Sequence, residues 1–204
     1  MNKIIVASNN EHKIKEIKEI LSGFPYEIVS LKEANINIDV EEDGKTFMDN
    51  AYKKAMEIYK YCKGSCMVLS DDSGLSVDAL NGAPGVYSAR FAGEHGNSEK
   101  NNKKLLEMMK DIPNENRGAK FVCAMVLILS ENKIIKVQGE VEGYILNEES
   151  GNNGFGYDPL FYIPSFDMSF AEMDSFNKNI ISHRGKALKM LREKLSQNIE
   201  WSDK

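Results

Sequence analysis

Two pairs of acids stand out among the residues able to do chemistry. Asp71-Asp72 follows the short apolar run Met67 to Leu69 and leads into Ser73-Gly74. A strand that ends this way sets carboxylates at the C-terminal edge of a sheet, where α/β proteins form their ligand crevices. Adjacent aspartates point in different directions, so one faces a ligand and the other braces the turn. Glu41-Glu42 precedes Thr46, a helix N-cap with Asp49 three residues on. Magnesium takes hard oxygen ligands, commonly one or two carboxylates completed by phosphates and water, and one acid from each segment meets that need. Each segment also has a plainer use. Asp71 to Gly74 suits an Asx-turn that closes a strand, and Glu41-Glu42 suits a solvated loop complementing a helix dipole.

Three further segments could hold an anion or a ring. Ser8-Asn9-Asn10-Glu11-His12-Lys13 lies between a strand-like run and a helix, an arrangement that aims backbone, amide and ammonium donors at phosphate oxygens. Lys178 and Ser182-His183-Arg184-Gly185 gather donors and cations at another helix start, where a cation is unfavourable without an anion nearby. Phe155-Gly156-Tyr157-Asp158 offers an aromatic ring beside a flexible backbone, suited to stacking on a base. The same segments also read as an ordinary strand-to-helix turn, a solvated cap and a loop that plugs the core. Neither a Walker A loop nor Gly-x-Gly-x-x-Gly is present. Gly-x-Ser-x-Gly is also missing and there are only three histidines, so a serine or cysteine nucleophile has no support.

The elements that must position these groups can be read from apolar spacing. Ile4 to Ala7 reads as a buried strand. Ile14, Ile17, Ile20 and Leu21 share one face of a helix that Gly23 and Pro25 end. Tyr26 to Leu31, Ile36 to Val40 and Met67 to Leu69 are further strands. The helix after Thr46 buries Phe47, Ala51, Ala55 and Ile58. Asn81 to Gly85 is loop chemistry, and Ser98 to Met109 is a third helix, closed by Pro113. Ala119 to Leu129 and Ile134 to Leu146 form a hairpin, the first nearly all apolar and so central in a sheet. Gly151 to Gly156 is a loop, Leu160 to Ile163 a strand, and Ser182 caps a last helix that buries Leu188, Leu191 and Leu195. The order mixes βα units with an antiparallel pair, which predicts a mixed α/β sheet.

The chain has 204 residues, 42% hydrophobic and 28% charged, which suits a soluble protein with a sizeable core. A net charge of −5 argues against a general nucleic-acid binder, though not against a small anion held by local cations and a metal. Cys62, Cys66 and Cys123 are too few for a disulfide framework, and Cys62 with Cys66 falls short of the four ligands of a zinc site. Met1 to Val6 lacks the build of a signal peptide. The longest apolar run, Phe121 to Leu129, is far below the ~18 residues that cross a membrane. These features predict a cytoplasmic protein with no membrane partner.

Together the motifs closely resemble the inosine triphosphate pyrophosphatase family, the XTP/dITP diphosphatases that clear non-standard purine nucleotides. The resemblance runs from Ser8 to Leu188. It is carried by Ser8-x-Asn10-x-x-Lys13; Glu41-Glu42 with Thr46-Phe47-x-x-Asn50-Ala51 and Lys54-Ala55; and Asp71-Asp72-Ser73-Gly74-Leu75. It continues through Leu80 to Arg90, Gly154 to Pro159, and Ser182-His183-Arg184-Gly185-x-Ala187-Leu188. One departure is Ser8-Asn9-Asn10, where the family often has Thr-Gly-Asn.

The resemblance implies one domain over 1–204, an elongated two-lobed α/β protein with helices flanking a mixed sheet and the active site in a cleft between lobes, usually a homodimer. It implies Mg²⁺-dependent hydrolysis of ITP, dITP and XTP to the monophosphate and pyrophosphate. Glu41 and Asp72 match metal-binding positions, and Asp72 is also the proton acceptor. Ser8, Asn9, Asn10, Glu11, His12, Lys13, Ser73, Phe155, Gly156, Tyr157, Asp158, Lys178, His183 and Arg184 match substrate-binding positions. The nearest alternative is a Maf-type pyrophosphatase acting on modified pyrimidine or other nucleotides. A catalytically silent nucleotide sensor is a third, which the joint presence of Glu41, Asp72 and Lys13 disfavours.

Overall fold

The computed structural model describes residues 2–199, with side-chain burial over 3–197; Met1 and the end of the C-terminal tail, part of Asn198 to Lys204, lie outside them. Seven strands are β1 (Asn2–Val6), β2 (Tyr26–Ser30), β3 (Met67–Val77), β4 (Gly118–Ser130), β5 (Lys133–Ile145), β6 (Phe161–Ile163) and β7 (Met168–Ser169). Five α-helices are α1 (Glu11–Ile20), α2 (Phe47–Tyr61), α3 (Ser98–Met109), α4 (Ser175–Ile181) and α5 (His183–Ile199). The strands pair in the order β2-β1-β3-β4-β5-β6-β7. β1 is parallel to β2 and β3, while β6 is antiparallel to β5 and β7. The expected mixed α/β sheet is present.

The chain divides into two compact units, each with its own apolar packing. The first falls within Met1–Asp72, Cys123–Gly139 and Arg184–Lys204. Here β4 sends Cys123, Met125 and Leu127 into a cluster with Ile17, Leu188, Leu191 and Leu195 of α1 and α5. Its alternate residues Ala124, Val126 and Ile128 enter a second cluster with Ala51, Ala55 and Ile58 of α2. Helices therefore cover both faces, which explains the unbroken apolar run of β4. The second unit, Ser73–Val122 and Glu140–His183, has one cluster. It contains Leu75 and Val77 of β3, Leu105 and Met109 of α3, and the aromatics Phe121, Tyr157, Phe161 and Phe170. Over this stretch β5 alternates: Val141 and Ile145 are buried, while Glu142 and Tyr144 are exposed. That is the pattern of a strand with one covered face.

Two expectations fail. Asp71-Asp72-Ser73-Gly74 is not a turn but the middle of β3, an 11-residue strand. β1 pairs only as far as Val6↔Leu69, with the Ala7 N–H on the Leu69 carbonyl at 2.7 Å. Alternate residues of a strand present their peptide groups to the same edge, so Asp71, Leu75 and Val77 face the edge β1 has left. Other donors and acceptors take over there. Lys54 donates to the Asp71 carbonyl (2.6 Å), the Leu75 N–H finds the Ser88 hydroxyl (2.9 Å), and the Val77 N–H finds the Ala83 carbonyl (3.1 Å). The second failure is Ile36 to Val40, which has no strand assignment. Left-handed Asn35 (φ 54°) turns the chain, and Ile36, Ile38 and Val40 pack as loop side chains against the α2 cluster.

Leu127→Ala removes a fully buried side chain from the first unit's packing. It should lower the unfolding free energy by about 2–5 kcal/mol, read by urea denaturation. Met108→Ala, on the exposed side of α3, should change it by no more than about 0.5 kcal/mol.

Candidate active site

In the first unit, charged groups collect around the start of the acidic strand segment. Asp71 is completely buried. Its Oδ2 accepts from Lys13 Nζ and from Arg184 Nη2, each at 3.1 Å, and the Cys123 thiol lies 4.0 Å from the same oxygen. Arg184, also buried, reaches Glu16 with its Nη1. Burial alone would push the Asp71 carboxyl up, but Lys13, Arg184 and Lys54 together hold it well below the usual carboxylate range. The anion expected near the cationic start of α5 is therefore this pair of carboxylates.

Asp72 is in a different situation. Asn50 Nδ2 donates to Asp72 Oδ2 at 2.9 Å. Burial raises its pKa and Glu42 adds to that, with Lys54, Lys13 and Asn50 opposing. The two aspartates thus differ in kind: cations hold the Asp71 carboxyl down, while burial holds that of Asp72 up. Lys54 Nζ bridges Glu42 Oε1 and the Asp71 carbonyl, both at 2.6 Å. Burial disfavours its charge, yet Asp71, Asp72 and Glu42 hold the ammonium above its ordinary pKa.

Of the acidic pair before α2, Glu42 is the half-buried member facing this cluster, while Glu41 is exposed. Asn50 was not expected as a functional residue. It is fully buried, and its Oδ1 accepts the Gly44 N–H at 2.7 Å. A Cβ on Gly44 would stand 2.5 Å from that oxygen. One amide therefore fixes both the acidic link and Asp72. The signal was present in the sequence: Asn50 and Lys54 lie four apart beside the apolar stripe Phe47, Ala51, Ala55 and Ile58, where a polar pair needs a partner.

The Ser8 to Lys13 loop is built as expected for a helix start. The Asn10 side chain caps α1 by accepting the Lys13 N–H (3.1 Å), and Ser8 Oγ accepts the Asn10 N–H (3.2 Å). Left-handed non-glycine residues among those described are Asn35, Lys63, Asn81 and Asp167. Asn9 is not one of them, so its position does not call for glycine. Asn9, Asn10, Glu11 and His12 are exposed; Ser8 and Lys13 are half-buried.

The second unit assembles the aromatic loop. Asp158 Oδ2 accepts both Lys178 Nζ (2.7 Å) and the Phe155 N–H (2.8 Å). Gly154, at φ 75°, passes so close that a Cβ would sit 2.1 Å from that oxygen. The Lys178 ammonium lies 5.0 Å from the centroid of the Phe155 ring, within cation–π range. The His183 ring stacks on Phe121 at 4.7 Å and 13°. Tyr157 is buried and spends its hydroxyl on the Ser88 carbonyl, 2.9 Å. Ser73 is half-buried. Thus Lys13, Asp72 and Arg184 come together in one unit, and Phe155, Asp158 and Lys178 in the other.

The Ham1 family profile matches residues 4–194. The chain belongs to the Ham1 family. It is 58% identical to the dITP/XTP pyrophosphatase of Clostridium tetani over 201 residues, covering 98% of this chain and 99% of that one. It is 57% identical to the dITP/XTP pyrophosphatase of Clostridium perfringens, over 96% and 98% of the two chains. Among solved structures, the Staphylococcus aureus Ham1 protein superposes with a TM-score of 0.86 at 40% identity, covering 97% of this chain and all of that one. A HAM1 protein from Coxiella burnetii gives 0.87 at the same identity and coverage. These two solved structures share its fold over 97% of the chain.

Asp71→Asn should leave the buried Lys13 and Arg184 charges without their shared counter-ion and cost about 3–5 kcal/mol of stability near neutral pH. Because the Asp71 pKa is depressed on folding, its contribution is full above the ordinary aspartate range and is lost as pH falls through the depressed value. The stability gap between wild type and variant should therefore narrow below about pH 4. Urea titrations across that range check it, and a gap that stays constant with acid contradicts it.

Proposed function

We propose that this Ham1-family chain hydrolyses non-standard purine nucleoside triphosphates (ITP, dITP and XTP) to the monophosphate and pyrophosphate. The carrying observation is the buried pair Asp71 and Asp72 with Lys13 and Lys54 grouped around it, in a chain whose relatives are named dITP/XTP pyrophosphatases. Those relatives favour this reading over the Maf-type alternative. We read the protein as a cytoplasmic homodimer, which sedimentation would check.

A divalent ion fits the donor set. Lys13, Lys54 and Arg184 stand against Asp71, Asp72, Glu16 and Glu42, so three cations meet four carboxylates and the cluster alone is not a phosphate trap. Among the described residues no group of three or more His, Cys, Asp or Glu forms a closed site. What is offered suits an ion shared with a triphosphate, held by one or two carboxylates. Asp72 is the first. Glu41 is the second in the family resemblance, and Glu42 is the neighbour that already faces Asp72. Bound Mg²⁺ supplies charge neutralisation on the phosphates and a more acidic water.

The protein's own residues do the rest. Lys13 and Lys54 hold phosphate oxygens and favour the charge that develops on departing pyrophosphate. Asn50 fixes the Asp72 carboxylate, and Asp72 orients and accepts a proton from the attacking water. In the second unit Phe155 offers a ring for the base, while Lys178 and His183 supply donors. A 6-oxopurine presents an acceptor where adenine presents a donor, and a buried donor left unmet costs about 1–3 kcal/mol. Arg184 is held in the first unit by Glu16 and Asp71.

Incubation of ITP with Mg²⁺ should release pyrophosphate and IMP; orthophosphate alone, or no turnover, overturns the reading. Equal kcat/KM for ATP and ITP does the same for base selection. Asp72→Asn should reduce kcat at least about a hundredfold. Asn50→Asp keeps the acceptor for Gly44 but sets a carboxylate against Asp72, and should reduce kcat about tenfold or more. Near-normal turnover of either variant at saturating Mg²⁺ removes that residue from the scheme.

A further inference from the structure

We propose that Ser88 is a positioning residue through which recognition of the base reaches the strand that carries Asp72. The inference rests on the pyrophosphatase reading above and concerns contacts inside the second unit. Ser88 lies in the 3-10 segment Gly85–Arg90 and is buried. Its hydroxyl accepts the Leu75 N–H at 2.9 Å and donates to the Gly85 carbonyl at 2.6 Å. Leu75 is on β3, three residues past Asp72, at the edge where β1 no longer pairs. On this edge a side-chain hydroxyl takes the N–H where β1 no longer pairs.

The same residue also holds the aromatic loop. The Ser88 carbonyl accepts the Tyr157 hydroxyl at 2.9 Å and Asn101 Nδ2 at 3.3 Å. Asn101 Oδ1 in turn accepts the Ala92 N–H at 2.7 Å, so the far side of the 3-10 segment is tied to α3. Tyr157 lies between Phe155 and Asp158 in the aromatic loop and is buried, with its hydroxyl spent on Ser88. The fit is close on the strand side as well. A Cβ at Gly74 would stand 2.3 Å from Ser88 Oγ and 2.7 Å from the Gly85 carbonyl, so glycine is what lets β3 approach the hydroxyl.

A chain of hydrogen bonds thus runs from the Tyr157 ring, through the Ser88 carbonyl and hydroxyl, to the backbone beyond Asp72. A base seated against Phe155 and Lys178 fixes the loop that contains Tyr157, and Ser88 passes that order to β3. A base that seats badly leaves β3 less firmly placed. Selectivity then shows in turnover as well as in binding, as differential stabilisation of the transition state requires.

The test is steady-state kinetics of Ser88→Ala and Tyr157→Phe on ITP and ATP with Mg²⁺. In each variant the ratio of kcat/KM for ITP to that for ATP should fall about tenfold, the worth of one hydrogen bond made in the transition state. The fall should come from kcat on ITP, with KM for ITP within about twofold of wild type. Active fraction cancels in the ratio, so partial misfolding cannot imitate the effect. If Ser88→Ala yields no soluble protein, Tyr157→Phe decides alone, since it keeps the buried ring and removes only the hydroxyl. An unchanged ratio, or a fall carried wholly by KM, overturns the proposal. Wild-type enzyme with no preference for ITP would instead overturn the pyrophosphatase reading, and this inference with it.

Discussion

A carboxylate without any solvent exposure is costly to bury, and the first unit of this protein is organised around making Asp71 tolerable. One of its oxygens is shared between the Lys13 ammonium and the Arg184 guanidinium, and its backbone carbonyl takes Lys54. Those three cations come from α1, α5 and α2, so one buried anion ties three helices to β3. Breaking such a group by removing one partner is far more damaging than never having built it. This constrains the neighbouring position. Lys13 and Arg184 pair with Asp71, while Asn50 donates to Asp72, whose carboxyl burial raises above the ordinary aspartate range.

Much of the framework was legible because it follows period and punctuation. α3 has the expected bounds Ser98–Met109, and α2 starts at the Thr46 cap, whose hydroxyl accepts the Asp49 N–H. The apolar run of β4 is central and covered on both faces. What misled was residue type in β3. Asp, Ser and Gly are poor strand formers that favour turns, and no local rule says that Lys54, Ser88 and Ala83 will satisfy an edge from elsewhere. α4 and β7 were missed for a simpler reason: 7 and 2 residues are too short to show a period.

The candidate site was legible in its residue types and much less so in its partners. Motif spacing singled out Asp72, Lys13, Phe155, Lys178 and Arg184, but not which carboxylate each cation would take. Asn50, Glu16 and Ser88 act through contacts with residues 22, 168 and 13 positions away. Such pairings depend on tertiary arrangement. Only the placement of polar residues beside an apolar helix face hinted at them, and that hint names a need without naming what fills it.

Ser182-His183-Arg184 shows how a short motif can serve two ends at once. His183 closes the second unit and stacks on Phe121, while Arg184 opens the next segment of the first and binds Asp71 and Glu16. Between them is a single peptide bond. His183 and Arg184 are thus consecutive residues that pack in different units. β3 does the same, since Asp72 ends one unit and Ser73 begins the other. Within the second unit, the Ser88 hydroxyl holds the Leu75 N–H of β3 just past that boundary, so a side chain fixes the strand where β1 no longer reaches it.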